Sequence, residues 1–239
     1  MSIVINGVEF KNAAGKAFKV YLSNYCINFS PVFVSDGMTG KMHGIPAIST
    51  DSRRNVLCEL RKQLNNYICT RCFADRTAKA HKTLGQHLSE NSELLTAEVL
   101  PLDSLPVFSS GLIVRLEAFG DISNVTQVIN YFNICKSSPA ARFAIWTKNP
   151  GYIAQAIKAG YKKPDNLRVV YSSSIINSPA PVDIVKRVFP FIDIIFTVYD
   201  AKTIEAQNIN INCGAKSCIS CRNCYDKQNF NNIVNEKLK

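Results

Sequence analysis

The sequence predicts an α/β fold, a partial or distorted (β/α) barrel, on three observations. Four short apolar runs recur between residues 107 and 207 at intervals of about 25–30 residues, the spacing that βα units require. The runs are continuous rather than alternating, which suits strands buried on both faces. The segments between them carry apolar residues at helical spacing. A doubly wound open sheet satisfies the same pattern and is the alternative. The 239 residues read as one domain. Strands and a loop occupy 1–50, a helical segment 51–100, the βα units 107–207 and a cysteine-rich tail 208–239.

Taken in order, residues 3–10 and 18–23 read as two short strands around a loop at 12–15. The stretch 32–46 is rich in Gly and Met, lacks a helical period and is expected to be loop. Ser49, Thr50, Asp51 and Ser52 offer an N-cap, so a helix is expected from there to about Tyr67. Val56, Leu57, Leu60 and Leu64 fall on one face of it. Cys69 and Cys72 follow its end, then a polar segment with Lys79, His81 and Lys82. A helix over 84–100 is marked by Leu84, Leu88, Leu94, Leu95 and Val99. Residues 111–119 form the first strand of the βα unit, and a helix with Val125, Val128, Ile129 and Phe132 follows. Strands over 141–147, 166–171 and 193–199 alternate with helices over 150–160 and 181–189. A short helix over 200–207 precedes the tail.

Composition bounds the function. Apolar residues make up 46% of the chain, enough for a full core. No apolar run approaches the roughly 20 residues of a membrane span. The stretch 1–7 lacks the charged and apolar regions of a signal peptide, so a reducing cytoplasm is expected. There, clustered cysteines are metal sites rather than disulfides. The formal net charge is +10, which makes nucleic acid or another polyanion a possible partner, although Lys and Arg are dispersed. No P-loop, G-x-G-x-x-G or paired-histidine zinc motif occurs. Ser172–Ser174 has no nucleophile-elbow pattern, which argues against serine hydrolysis.

The chemistry concentrates in sulfur. Cys213, Cys218, Cys221 and Cys224 form a C-x4-C-x2-C-x2-C run, and Cys58, Cys69 and Cys72 add three thiols upstream. Short loops let several sulfurs converge on one centre, and soft thiolates suit an iron–sulfur cluster or zinc. The tail can complete one four-thiolate site, leaving the trio a second centre with one open position; a partition that mixes the groups is equally allowed by spacing. Three tail cysteines at x2 spacing with a fourth nearby are closer to ferredoxin-like runs than to the separated knuckles of a zinc ribbon, so one or two 4Fe-4S clusters are expected, with zinc as the alternative. Cys26 and Cys135 are isolated and read as small buried apolar residues. Ligands gather at the carboxyl ends of βα strands. There the catalytic candidates are Glu117, Asp121, Lys148 and Ser172, and Ser172, Ser173 and Ser174 are candidates for cofactor binding. Both cysteine groups are expected at that same mouth. Redox or radical chemistry on an unidentified small molecule or macromolecule follows; the alternative is a metal-stapled module contacting nucleic acid or a host protein.

Four segments carry a family resemblance: Cys69-x2-Cys72-Phe73-Ala74, Arg115-x-Glu117-x2-Gly120-Asp121, Phe143-x2-Trp146-Thr147-Lys148 and Cys221-x2-Cys224-Tyr225. Over roughly residues 45–225 the chain resembles the bacteriophage gene product 88 family, with Phe73 where that family has Tyr. The family is distantly similar to radical S-adenosylmethionine (SAM) proteins. That likeness implies an iron–sulfur site at a (β/α) barrel mouth and admits SAM as a cofactor. The contiguous C-x3-C-x2-C run of radical SAM proteins does not occur in this chain.

Overall fold

The structure, a computed structural model, describes residues 3–36, 39–226 and 232–238. Met1 and Ser2, Gly37 and Met38 of the expected loop, and residues 227–231 and 239 of the tail lie outside the described residues.

Strands β1 (Ile3–Lys11) and β2 (Ala17–Leu22) pair as an antiparallel hairpin. Its turn closes where Gly15 adopts a φ of 76°, a region open to a residue without a Cβ. The rest of the chain builds a six-stranded sheet: β3 (Ala47–Ile48), β4 (Ile113–Leu116), β5 (Arg142–Thr147), β6 (Leu167–Ser172), β7 (Ile194–Tyr199) and β8 (Ile233–Lys237). Every neighbouring pair is parallel and the strands lie in chain order. A doubly wound sheet reverses its order at a switch point; this one does not reverse. It is open, with β3 and β8 as its edges.

The helices are α1 (Val56–Lys62), α2 (Phe73–Ala80), α3 (Lys82–Ala97), α4 (Val125–Ser137), α5 (Pro150–Lys158), α6 (Val182–Val188), α7 (Ala201–Gln207) and α8 (Cys218–Cys221). Alternate strand residues divide between two layers. Val114, Leu116, Phe143, Ile145, Leu167, Val169 and Ile195 pack against Leu94 and Leu95 of α3, Val128 and Phe132 of α4, and Ile153 of α5. The intervening residues Ile113, Ala144, Val170, Ile194 and Val234 face the other way, and the cysteine tail lies on them through Cys213, Cys218, Cys224 and Tyr225. The helices thus cover one face of the sheet and the tail covers the other. Each large apolar side chain so buried contributes about 1.5–3 kcal/mol.

Two expectations change. The helix expected from about 49 to 67 begins later and ends sooner. Asp51 caps a separate 3-10 turn, Ser52–Arg54, and Asn55 then caps α1 by accepting from the amides of Leu57 and Cys58. Two strong caps four residues apart break the run. The apolar face assigned to this helix is not core: Val56, Leu60 and Leu64 are 71%, 53% and 45% exposed. The segment after Cys72, expected to be merely polar, is helix α2, which buries only the small residues Ala74 and Ala78. Among the described residues, no helix is long and apolar enough to cross a membrane.

Candidate metal centres at two cysteine groups

In the tail, α8 is a single turn that sets Cys218 and Cys221 three residues apart on one side. Arg222 then takes a left-handed φ of 51° and reverses the chain. Its amide donates to the Cys218 carbonyl, and the amides of Tyr225 and Asp226 donate to the Arg222 carbonyl. This tight turn brings Cys224 back onto the apolar cluster of Ile45, Ile113 and Ala144 that Cys218 also meets. Cys213 enters from the other side, held by its amide on the Asn235 carbonyl of β8, and the Lys41 ammonium lies 3.2 Å from its sulfur. All nine cysteines are free thiols. Burial pushes the Cys224 thiol up to about 12; Arg115 opposes that rise and the other three tail thiols add to it. Cys218 is raised by burial too, with Lys41 and Arg115 pulling it back.

Two arginines lie under this loop; sequence reasoning named Arg115 only within the family resemblance, with no site role, and Arg168 not at all. Arg115 of β4 stacks over the Trp146 ring at 3.1 Å from its centroid, beside Tyr225, Cys224 and Cys218. The residue is half-buried, but its Nε is sealed from solvent without a hydrogen-bond partner. Arg168 of β6 is 4% exposed. It donates to the loop carbonyls of Asn223 and Asp226, and its Nε is likewise unpartnered. Neither arginine pairs with a carboxylate among the described residues. Their signal was present in the sequence: each is a lone cation inside an apolar strand run, Ile-Val-Arg-Leu and Leu-Arg-Val-Val.

The upstream trio sits elsewhere, over the carboxyl ends of the central strands. Cys58 is on α1, whose cap Asn55 donates to the carbonyls of Asp121 and Ile122 beyond β4. Cys69 is in the 3-10 turn Ile68–Arg71, and Cys72 caps α2. That turn is tied to the loop after β6, because the Ile68 amide donates to the Ser174 carbonyl and Tyr67 bridges to Ile175. Burial raises Cys58 and Cys69, and both feel Lys148 and Asp121 as well as their fellow thiols. Arg61 reaches the same spot, donating to the Lys148 carbonyl and lying 3.7 Å from Asp121. The electrostatic neighbours therefore sort the seven thiols into two sets, one at the strand ends and one on the tail-covered face. Among the described residues, no three His, Cys, Asp or Glu side chains are arranged to hold a metal ion as they stand.

The strand-end candidates divide by environment. Asp121 accepts from the Thr147 hydroxyl at 2.6 Å and from the Lys148 amide at 3.0 Å, which joins the ends of β4 and β5 beside Cys58. The Lys148 charge is near enough to Cys58 and Cys69 to oppose the rise that burial gives their thiols. Glu117 is turned away from them. Its left-handed φ of 58° directs it into the helical layer, where Tyr131, Gln127 and Thr50 donate to its carboxylate. Burial raises its pKa to about 7. Ser172 is buried, and Ser173 uses its hydroxyl on the Ser178 carbonyl. Ser174 offers its carbonyl to the trio's turn.

No curated protein and no solved structure matches the chain. The family model for gene product 88 matches residues 40–237, a span that takes in both cysteine groups, the whole six-stranded sheet, Arg115 and Arg168. The chain belongs to the gene product 88 family, a family of bacteriophage proteins.

Proposed function

We propose that the chain is an iron–sulfur protein, with Cys213, Cys218, Cys221 and Cys224 as ligands of one cluster. One observation carries this reading: Cys218 and Cys224 lie beside Arg115, the same loop covers Arg168, and among the described residues no carboxylate meets either cation. A guanidinium shielded from water requires a compensating negative charge. Arginine keeps its proton in proteins, so the compensation must come from its surroundings. Neutral thiols supply none. Thiolates bound to a cluster do, and ligation draws their sulfurs inward from the positions described. The donor set suits iron–sulfur by its ferredoxin-like spacing, with zinc as the competing occupant. The sequential parallel sheet fits the arc of a partial (β/α) barrel whose inner face is filled by the tail.

Cys58, Cys69 and Cys72 supply three ligands to a second centre at the strand ends. A fourth position is left for an exogenous ligand, and a cluster bound there would supply electrons for redox or radical chemistry. Around it, Lys148 and Arg61 offer positive charge to an anionic substrate group. Asp121 holds the ends of β4 and β5 together and positions Lys148 through its amide. The substrate side is thus a cationic rim, whereas the tail centre is seated on the sheet and serves electron storage or fold stability.

Purification without oxygen tests this directly. The expected product is a brown protein carrying iron and acid-labile sulfide, with a paramagnetic signal on reduction. A colourless protein with stoichiometric zinc overturns it.

A further inference from the structure

The segment that carries the trio also carries an unusual charge. Between residues 51 and 82 there are eight Lys and Arg against three Asp and Glu, a surplus of five in a chain whose whole surplus is ten. Several of these cations are used internally: Arg53 pairs with Asp51, Arg54 with Glu93 and Lys62 with Asp75. Arg71, Arg76 and Lys82 are exposed and make no ion pair with a described residue. Lys79 meets Asp75 but keeps 65% of its side chain in solvent. Lys79 and Lys82 border an open cleft of about 410 Å³ between α2 and α3, with Arg53 on its wall.

An aromatic ring stands in the same row. Phe73 opens α2 and is 56% exposed. Arg76 follows one turn later on the same side of the helix. The ring is propped from behind by Phe119, at 5.8 Å between centroids and 51° between planes. A large apolar ring held upright in water, flanked by unpaired cations, combines the two features that grip an unpaired nucleotide strand: a stacking platform and a track for phosphates. An acidic protein would use the cations but has no call on a lone propped ring. A duplex offers its phosphates but keeps its bases stacked on each other.

We infer that α2 and the adjoining turn bind single-stranded nucleic acid, with Phe73 stacking on a base and Arg71, Arg76, Lys79 and Lys82 meeting the backbone. Because Phe73 directly follows Cys72, the stacked base lies beside the three-thiol group. The binding rests on the residues of this face; only the idea that the strand is the substrate rests on the iron–sulfur reading.

The test is fluorescence anisotropy on the full-length protein, with metal content measured on the same sample. The probe is a short labelled oligothymidine, and an unlabelled duplex and polyglutamate are competitors. Between about 50 mM and about 200 mM salt, three to four phosphate contacts give a log–log slope of about −2 to −3. The double change Arg76→Glu and Lys82→Glu should weaken binding at least about tenfold and flatten the slope by about 1.4. Phe73→Ala should weaken it about fivefold or more with the slope unchanged, and Phe73→Trp should restore it. No binding at low salt overturns the inference, as does indifference to the charge reversal. Equal competition by duplex or by polyglutamate overturns it too. Absence of binding by the unaltered protein with its metal in place sinks this inference alone; binding by a protein that never holds iron sinks only the reading of the thiols.

Discussion

At the scale of single residues, Glu117 departs furthest from its expected role. It stands at the end of β4, where a catalytic carboxylate belongs, but its left-handed backbone swings it into the helical layer. There it is a buried acid ringed by hydroxyl, amide and backbone donors. Gly120 closes over it: a Cβ at that position would come within 2.6 Å of the Thr50 carbonyl oxygen. The consequence is a dependence of stability on pH. The carboxyl titrates near its ordinary 4.5 when unfolded and near 7 when folded, because burial disfavours its charge. Between those values the folded protein holds a proton that the unfolded chain has released. The contribution is therefore complete below about pH 4.5, declines as the pH rises and is spent above about pH 7, with a span on the order of 3 kcal/mol. Glu117→Gln should remove that slope from the difference between variant and wild-type unfolding free energies measured from pH 4 to 8. An unchanged slope would mean that the proton lies elsewhere.

At the scale of elements, the two cysteine groups are built by different devices. The tail is a loop shaped by one helical turn and a left-handed reversal at Arg222; the trio is spread over α1, a 3-10 turn and the cap of α2. If each set serves its own centre, Cys221→Ser should remove about half of the bound iron and Cys72→Ser the other half, with the double variant close to none. Loss of all iron from either single change would instead join the groups into one site. The spacing of the cysteines made both groups legible in the sequence but not their separation. That depends on which face of the sheet a returning tail covers, and no local pattern records it. The central strands β4 to β7 were legible because burial on both faces leaves an unbroken apolar run. Edge strands β3 and β8 were not. One is two residues long, and the other, Ile-Val-Asn-Glu-Lys, mixes polar residues with only Val234 deeply buried. The apolar stripe of α1 misled in the opposite sense, since Val56, Leu60 and Leu64 look outward beside the trio rather than into the core.

At the scale of the whole molecule, the tail takes the place that a second layer of helices would fill. Helices shield one face of the sheet; the other is shielded by Tyr225 and the sulfur-bearing loop, with Arg115 and Arg168 trapped between. If the tail holds the proposed cluster, fold and centre are one thermodynamic unit, because metal affinity for the folded chain is folding free energy. Arg115→Met separates the possible cases by sign. Methionine keeps much of the stacking on Trp146 and discards the charge. With an anionic centre in place, the exchange strips a compensating cation, and breaking such a shielded pair costs about 3–5 kcal/mol. With the centre removed by a chelator, the thiols revert to neutral groups and the guanidinium is an uncompensated charge, so its removal is stabilising. The variant should accordingly melt below the wild type when both are loaded and above it when both are stripped. Scanning calorimetry on the four samples, with iron measured in each, decides the matter. The same shift in both states would leave Arg115 as a packing residue, and the negative charge over the sheet would lose its support.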